Sequence, residues 1–191
     1  PRSTLFPYTT LFRSLHIACA DLFLQHLQQK EWAANHYNQA LKFDANNLYA
    51  IRGLQNLYRE QGNHQSLMSM LFTELGIEKN ETRLFYLHLE LADLHLGPLQ
   101  NVDGAVKHLI KAHRYQPHER EITEKLKKIL KEQGRWEEYT EYLEEELSIL
   151  SLNHEQRRSM HLELSSLYAQ KLALNDLAIV QIGRASCRER V

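Results

Sequence analysis

The chain has 191 residues, 43% of them hydrophobic and 25% charged with the two signs near balance, so it is long and apolar enough to bury a sizeable core and is not a disordered tract. No apolar run approaches the roughly 20 residues that a membrane span requires, and the N-terminal stretch lacks the pattern of a signal peptide, so the chain is expected to be soluble as it stands. Two cysteines, Cys19 and Cys187, with no paired spacing and no Cys/His ligand pattern around them, argue against a disulfide framework and a structural zinc site.

The two ends differ from the interior. PRSTLFPYTTLFRS, residues 1–14, and IGRASCRERV, residues 182–191, lack its periodicity and resemble translated sequencing-adapter read-through. They are expected to be non-native tails that pack against nothing. Setting aside their five arginines and one glutamate leaves 18 basic against 23 acidic residues, a net charge of −5. That mildly acidic interior speaks against a nucleic-acid binder with a strong general basic field.

Between the tails, apolar residues recur at helical spacing, as in Leu54, Leu57, Tyr58 and in Leu126, Ile129, Leu130. In chain order the pattern predicts helices over 15–29, 31–43, 47–61, 64–76, 81–96, 102–115, 118–133, 135–150 and 154–172, with a truncated one from 175. Gly62 and Gly134 stand just past a helix, where the chain must turn back through a positive φ. Asn80, Asn101, Asn153 and Asn175 each precede a helical run, where a side-chain oxygen can accept from an unpaired backbone N–H. Pro117 stops the helix that ends near Tyr115.

The helices repeat. REQGNHQSL at 59–67 returns 72 positions later as KEQGRWEEY at 131–139, and HLEL at 88–91 returns 73 positions later at 161–164. ADLFL at 20–24 matches ADLHL at 92–96. One hairpin type therefore occurs three times and a second occurs twice between its copies, about 36 residues to a hairpin.

The first hairpin type resembles the tetratricopeptide repeat, through Ala33, Tyr37 and Ala40 and again through Ala105, Leu109, Ala112 and Pro117. Methyl side chains at Ala33, Ala40, Ala105 and Ala112 let two helix backbones approach closely where larger groups would clash. The second type fits through Leu54, Tyr58, Gly62 and Asn63 but departs in its partner helix, with Leu67 and Tyr139 at a small-residue place and Glu74 and Glu146 at an alanine place. The resemblance covers residues 15–181. It implies an all-α fold, a right-handed α-solenoid of about five helix-turn-helix hairpins, and a non-catalytic scaffold for protein–protein interaction or assembly.

Chemical signatures are absent from the sequence: there is no HExxH, no Gly-rich phosphate loop and no GxSxG, and neither catalysis, a cofactor nor a metal is expected. His88 and His95 are seven apart on one helix face, but the repeat mates of His95 are Phe23 and Tyr168, which makes it a packing residue. In repeats of this kind the first helix of each hairpin lines a concave surface. That places Arg52, Asn56, Arg59, Lys128 and Lys131 as the candidate partner-binding set, with the acidic residues of 137–146 mostly facing outward. The expected partner is a protein or peptide segment, acidic if the basic ladder is what holds it. Two other functions fit a helical repeat: an RNA reader using two or three side chains per repeat, and an accessory domain of a larger enzyme.

Overall fold

The computed structural model describes residues 6–186 and, among these, ten α-helices and no strand. They are α1 (Phe6–Gln25), α2 (Lys30–Phe43), α3 (Leu48–Glu60), α4 (His64–Ile77), α5 (Glu81–Leu96), α6 (Val102–Tyr115), α7 (Arg120–Glu132), α8 (Trp136–Ile149), α9 (His154–Gln170) and α10 (Asn175–Ser186). Cys187 and the remainder of the expected C-terminal tail lie outside the described residues.

Local chemistry sets the boundaries. Asn47, Asn63, Asn80, Asn101 and Asn153 each accept a hydrogen bond from the third residue beyond, which satisfies one of the helix's orphan N–H groups. Asn175 does not stand before its helix; it is the first residue of α10. Gly62 (φ +67°) and Gly134 (φ +64°) end α3 and α7 identically. In each case the glycine N–H and the next N–H bond back to carbonyls three and five residues earlier, Gly62 to Arg59 and Asn63 to Tyr58, then Gly134 to Lys131 and Arg135 to Leu130. This Schellman closure explains why EQG recurs in the sequence. A second repeated turn uses no glycine: Gln28, Gln100 and Ala173 all adopt positive φ, at 53°, 48° and 56°, just before α2, α6 and α10.

The chain divides into two compact units, residues up to Gln100 and residues from Asn101. The division falls between α5 and α6, inside the hairpin that the sequence pattern expects over 81–115. Within the first unit each of α1 to α5 packs on its chain neighbour, and within the second each of α6 to α10 does so. Ala33 and Ala40 are fully buried in the first unit, in a cluster with Ala20, Tyr37, Ala50, Leu54 and Leu57. Leu67 and Leu71 of α4 meet Leu87, Leu91 and Leu94 of α5 in another. In the second unit Ala105, Leu109 and Ala112 are fully buried, as are Leu126, Leu130 and Leu143. The four alanines thus occupy close-packed positions, where added methylenes would force neighbours apart. His88 and His95 are buried in α5.

The expectation that the ends pack against nothing is corrected. Residues 6–14 form the first turns of α1, with the Phe12 ring stacked on Phe43 at 6.0 Å and Arg13 Nη1 donating to Asp44 Oδ2 at 2.7 Å. At the other end Ala185 is buried in α10. Extending a helix that already exists needs no new nucleus, and Pro7 falls in the first turn, where its missing N–H breaks no intrahelical bond.

Candidate functional site

A groove of about 880 Å³ opens beside α3 in the first unit. Arg52 and Asn56 line it, together with Tyr49, Gly53 and Leu57 of the same helix, Lys30 and Tyr37 of α2, and Leu24 of α1. Its floor depends on a glycine. A Cβ on Gly53 would fall 2.6 Å from Tyr37 Cζ, so only a residue without one lets the ring lie against the α3 backbone. Tyr37 is pinned there, since its hydroxyl donates to Asp21 Oδ1 at 2.6 Å while that of Tyr49 donates to Oδ2 at 3.0 Å. Burial and then the Asp21 carboxylate push the Tyr37 hydroxyl far above its ordinary range, so it stays a donor. At the rim Lys30 Nζ lies 2.9 Å from Glu60.

The basic candidates are exposed, and each carries a carboxylate of its own chain. Arg52 donates through Nε to Glu74 at 2.7 Å and through Nη2 to Glu78 at 2.9 Å. Arg59 donates to Glu90 at 2.6 Å and to Asn56 at 2.7 Å. In the second unit Lys128 lies 3.9 Å from Glu132, and Lys131 donates to Glu163 at 3.1 Å with its ammonium 5.1 Å from the Tyr139 ring centre. Arg59 to Glu90 and Lys131 to Glu163 are one interaction repeated, tying α3 to α5 and α7 to α9. Burial raises the Glu163 carboxyl, but hydrogen bonds from Tyr139 and Lys131 outweigh it and leave the carboxyl below its usual range. Exposed pairs of this kind contribute about 0 to 1 kcal/mol each.

The residues that sequence reasoning left without a role are Glu74 and Glu146. Both are buried, at 0% and 2% exposure. Burial pushes the Glu74 carboxyl up, but hydrogen bonds from Arg83, Arg52 and Gln55 outweigh it and hold it at about 2. Glu146 Oε1 accepts from the Tyr142 hydroxyl at 2.8 Å, and Lys127 Nζ lies 2.9 Å from its other oxygen. Glu146 thus departs from the outward orientation expected of 137–146. The signal that could have found the pair was a glutamate on an apolar helix face, occurring twice at the repeat spacing. A charge so placed persists only when its partners come with it.

Among the described residues no group of three or more His, Cys, Asp or Glu side chains could hold a metal ion, and no helix is long and apolar enough to cross a membrane.

No protein-family model matches the chain, nor does any curated protein. Solved structures do. One of the MamA protein superposes with a TM-score of 0.51 at 16% identity, covering 92% of this chain and 91% of that one. The fold is tetratricopeptide-like. YrrB, described as a TPR protein with an unusual peptide-binding site, matches at 18% identity over 89% of this chain and 82% of its own, with a TM-score of 0.46. A thermophilic TPR protein from Thermus thermophilus matches at 15% identity over 91% and 89%, with a TM-score of 0.37. At these identities the likeness is one of fold.

Proposed function

We propose that the chain is a non-catalytic protein-interaction scaffold whose α3 face in the first unit receives a peptide segment of a partner. The observation that carries this reading is the groove beside α3, kept open by the contact of Tyr37 with Gly53 and bordered by exposed Tyr49, Arg52 and Asn56. Its walls combine apolar surface from Leu24, Leu57 and the two tyrosines with a few polar groups, the composition that orients a ligand while burying it. Arg52 and Arg59 already hold carboxylates, so an incoming acidic side chain exchanges one ion pair for another and gains little. Affinity therefore comes mainly from an apolar or aromatic anchor seated among Leu24, Tyr49 and Leu57, while flanking carboxylates on the segment set its orientation and a salt dependence.

The test is fluorescence anisotropy with labelled peptides that carry one aromatic residue flanked by glutamates, compared with the same peptides flanked by lysines. The glutamate series should bind, weaken as salt is raised, and lose at least tenfold in affinity to Tyr49→Ala, an exposed residue whose removal leaves the core intact. Equal binding of the lysine series, or full affinity in Tyr49→Ala, overturns the groove assignment.

A further inference from the structure

Arg83 and Gln156 occupy the same place in the repeat, the third residue after the capping asparagine of α5 and of α9. Their side chains go to different partners for a local reason. Before α5, Glu78 Oε1 accepts from the Asn80 N–H at 3.0 Å, which leaves Arg83 to turn back over α4. There it donates through Nε and Nη2 to the two oxygens of Glu74, both at 2.8 Å. Before α9, Ser151 stands two residues ahead of Asn153 as Glu78 stands ahead of Asn80, and Gln156 Oε1 takes the Asn153 N–H at 3.0 Å and closes a capping box. Gln156 is spent on the helix end and does not reach Glu146.

The second unit therefore keeps a cavity of about 330 Å³ among Pro117, Arg120, Thr123, Glu146, Leu150 and Gln156. Glu146 is buried, unlike the others. Its carboxylate is under-supplied relative to Glu74. Glu74 receives Arg52, Arg83 and Gln55. Glu146 receives the Tyr142 hydroxyl on one oxygen and the Lys127 ammonium, 2.9 Å away, on the other, one partner for each oxygen where Glu74 has two. A buried carboxylate with one partner on each oxygen keeps acceptor capacity to spare, and the group that matches a carboxylate best is a planar guanidinium fork.

We propose that this cavity is a receptor for an arginine side chain presented by a protein partner, which takes on Glu146 the place that Arg83 takes on Glu74. The site stands apart from the α3 groove: it lies in the other unit and its ligand has the opposite charge, so either reading can fail alone. Glu74 supplies the precedent within the same fold that one buried glutamate accommodates two cationic groups. Arg120 at the cavity wall opposes any incoming cation, so charge alone does not hold a ligand there. The site favours a ligand held by directed hydrogen bonds.

The experiment titrates the full chain with N-acetyl-arginine amide, its neutral isostere N-acetyl-citrulline amide, and free L-arginine, following backbone amide NMR shifts. The arginine amide should shift amides within 117–123 and 150–156, with saturation at least tenfold tighter than the citrulline analogue. Glu146→Gln should weaken it at least tenfold. Gln156→Arg, which supplies the guanidinium from within the chain, should abolish binding without lowering the melting temperature, and it keeps the test valid if Glu146→Gln fails to fold. Absence of shifts, equal binding of citrulline, or unchanged binding in Gln156→Arg overturns the proposal. So does tighter binding of free arginine than of the capped amide, which would make the ligand an amino acid. Binding that emerges only in Arg120→Ala overturns it too, since the occupant would then be the chain's own Arg120.

Discussion

Around Glu74 the first unit gathers two guanidiniums and an amide, whereas around Glu146 the second gathers one ammonium and one phenol. The two glutamates are 72 positions apart and both buried, yet only one of the donor positions corresponds. Glu124 stands at the place of Arg52, Lys127 at that of Gln55 and Gln156 at that of Arg83. A repeat thus transmits the demand of a position, here a carboxylate that must be satisfied inside an α-helical stack, without transmitting the residues that meet it. Carrying a role from one repeat to the next by position alone therefore holds for the pairs Arg59–Glu90 and Lys131–Glu163 and fails for the two arginines on Glu74.

The sharpest way to break this comparison is to remove each carboxylate. Glu74→Ala strands two guanidiniums that are a third or more exposed and is expected to cost about 3 kcal/mol, the low end for breaking a buried pair. Glu146→Ala strands one lysine and one buried hydroxyl and should cost about 2 kcal/mol. Urea denaturation measures both, and a reversed order would show that Glu146 is the better-supplied site. The same contrast has a pH form. The Glu74 carboxyl is depressed to about 2, so its stabilising contribution is complete above the ordinary carboxylate pKa near 4.5 and is lost as pH falls through that interval towards 2. Glu74→Gln should flatten the stability profile in that window.

A second comparison is symmetric. Ala33→Leu in the first unit and Ala105→Leu in the second should each destabilise by about 2 kcal/mol through overpacking, because both alanines are fully buried and stand 72 positions apart. Melting curves that differ by more than about 1 kcal/mol between the two would break the 72-residue match at that position. The smallest expected effect is at the ends. Deleting residues 1–14 removes the Phe12 stack and the Arg13 pair, both partly exposed, and should cost about 1 kcal/mol or less. Deleting 182–191 should cost less still, and a large drop on either deletion would count against the expectation that the two ends are non-native tails.

Much of the fold was legible because its signals are local. Helical spacing, the asparagine caps and the two glycines place most helix ends to within a few residues, and the internal period gives the hairpin order. The first helix is the exception: it starts at Phe6 rather than 15 because residues that carry no amphipathic signal can still prolong a helix. The candidate site was legible only in part. Arg52 and Asn56 do border the groove, but a glycine in mid-helix gives no hint that Gly53 seats an aromatic ring, because the ring comes from Tyr37 on another helix. Glu74 and Glu146 were visible as departures from the pattern. The partners of Glu74 lie 9, 19 and 22 positions away, and Lys127 lies 19 positions from Glu146, so no spacing within a single helix announced the ion pairs.

Five helices in this protein begin on an asparagine that holds a backbone N–H: Asn47, Asn63, Asn80, Asn101 and Asn153. Asparagine is among the thermolabile side chains, so each of these starts is exposed to slow chemical ageing. Direct hydrolysis of the amide leaves aspartate, whose oxygen caps a helix as well as that of asparagine. The new negative charge also falls at the positive end of the helix dipole. Replacing these five asparagines with aspartate would therefore change the protein's charge while leaving its helix starts held, so the fivefold variant should focus at lower pH in an electric field yet melt at the same temperature as the parent.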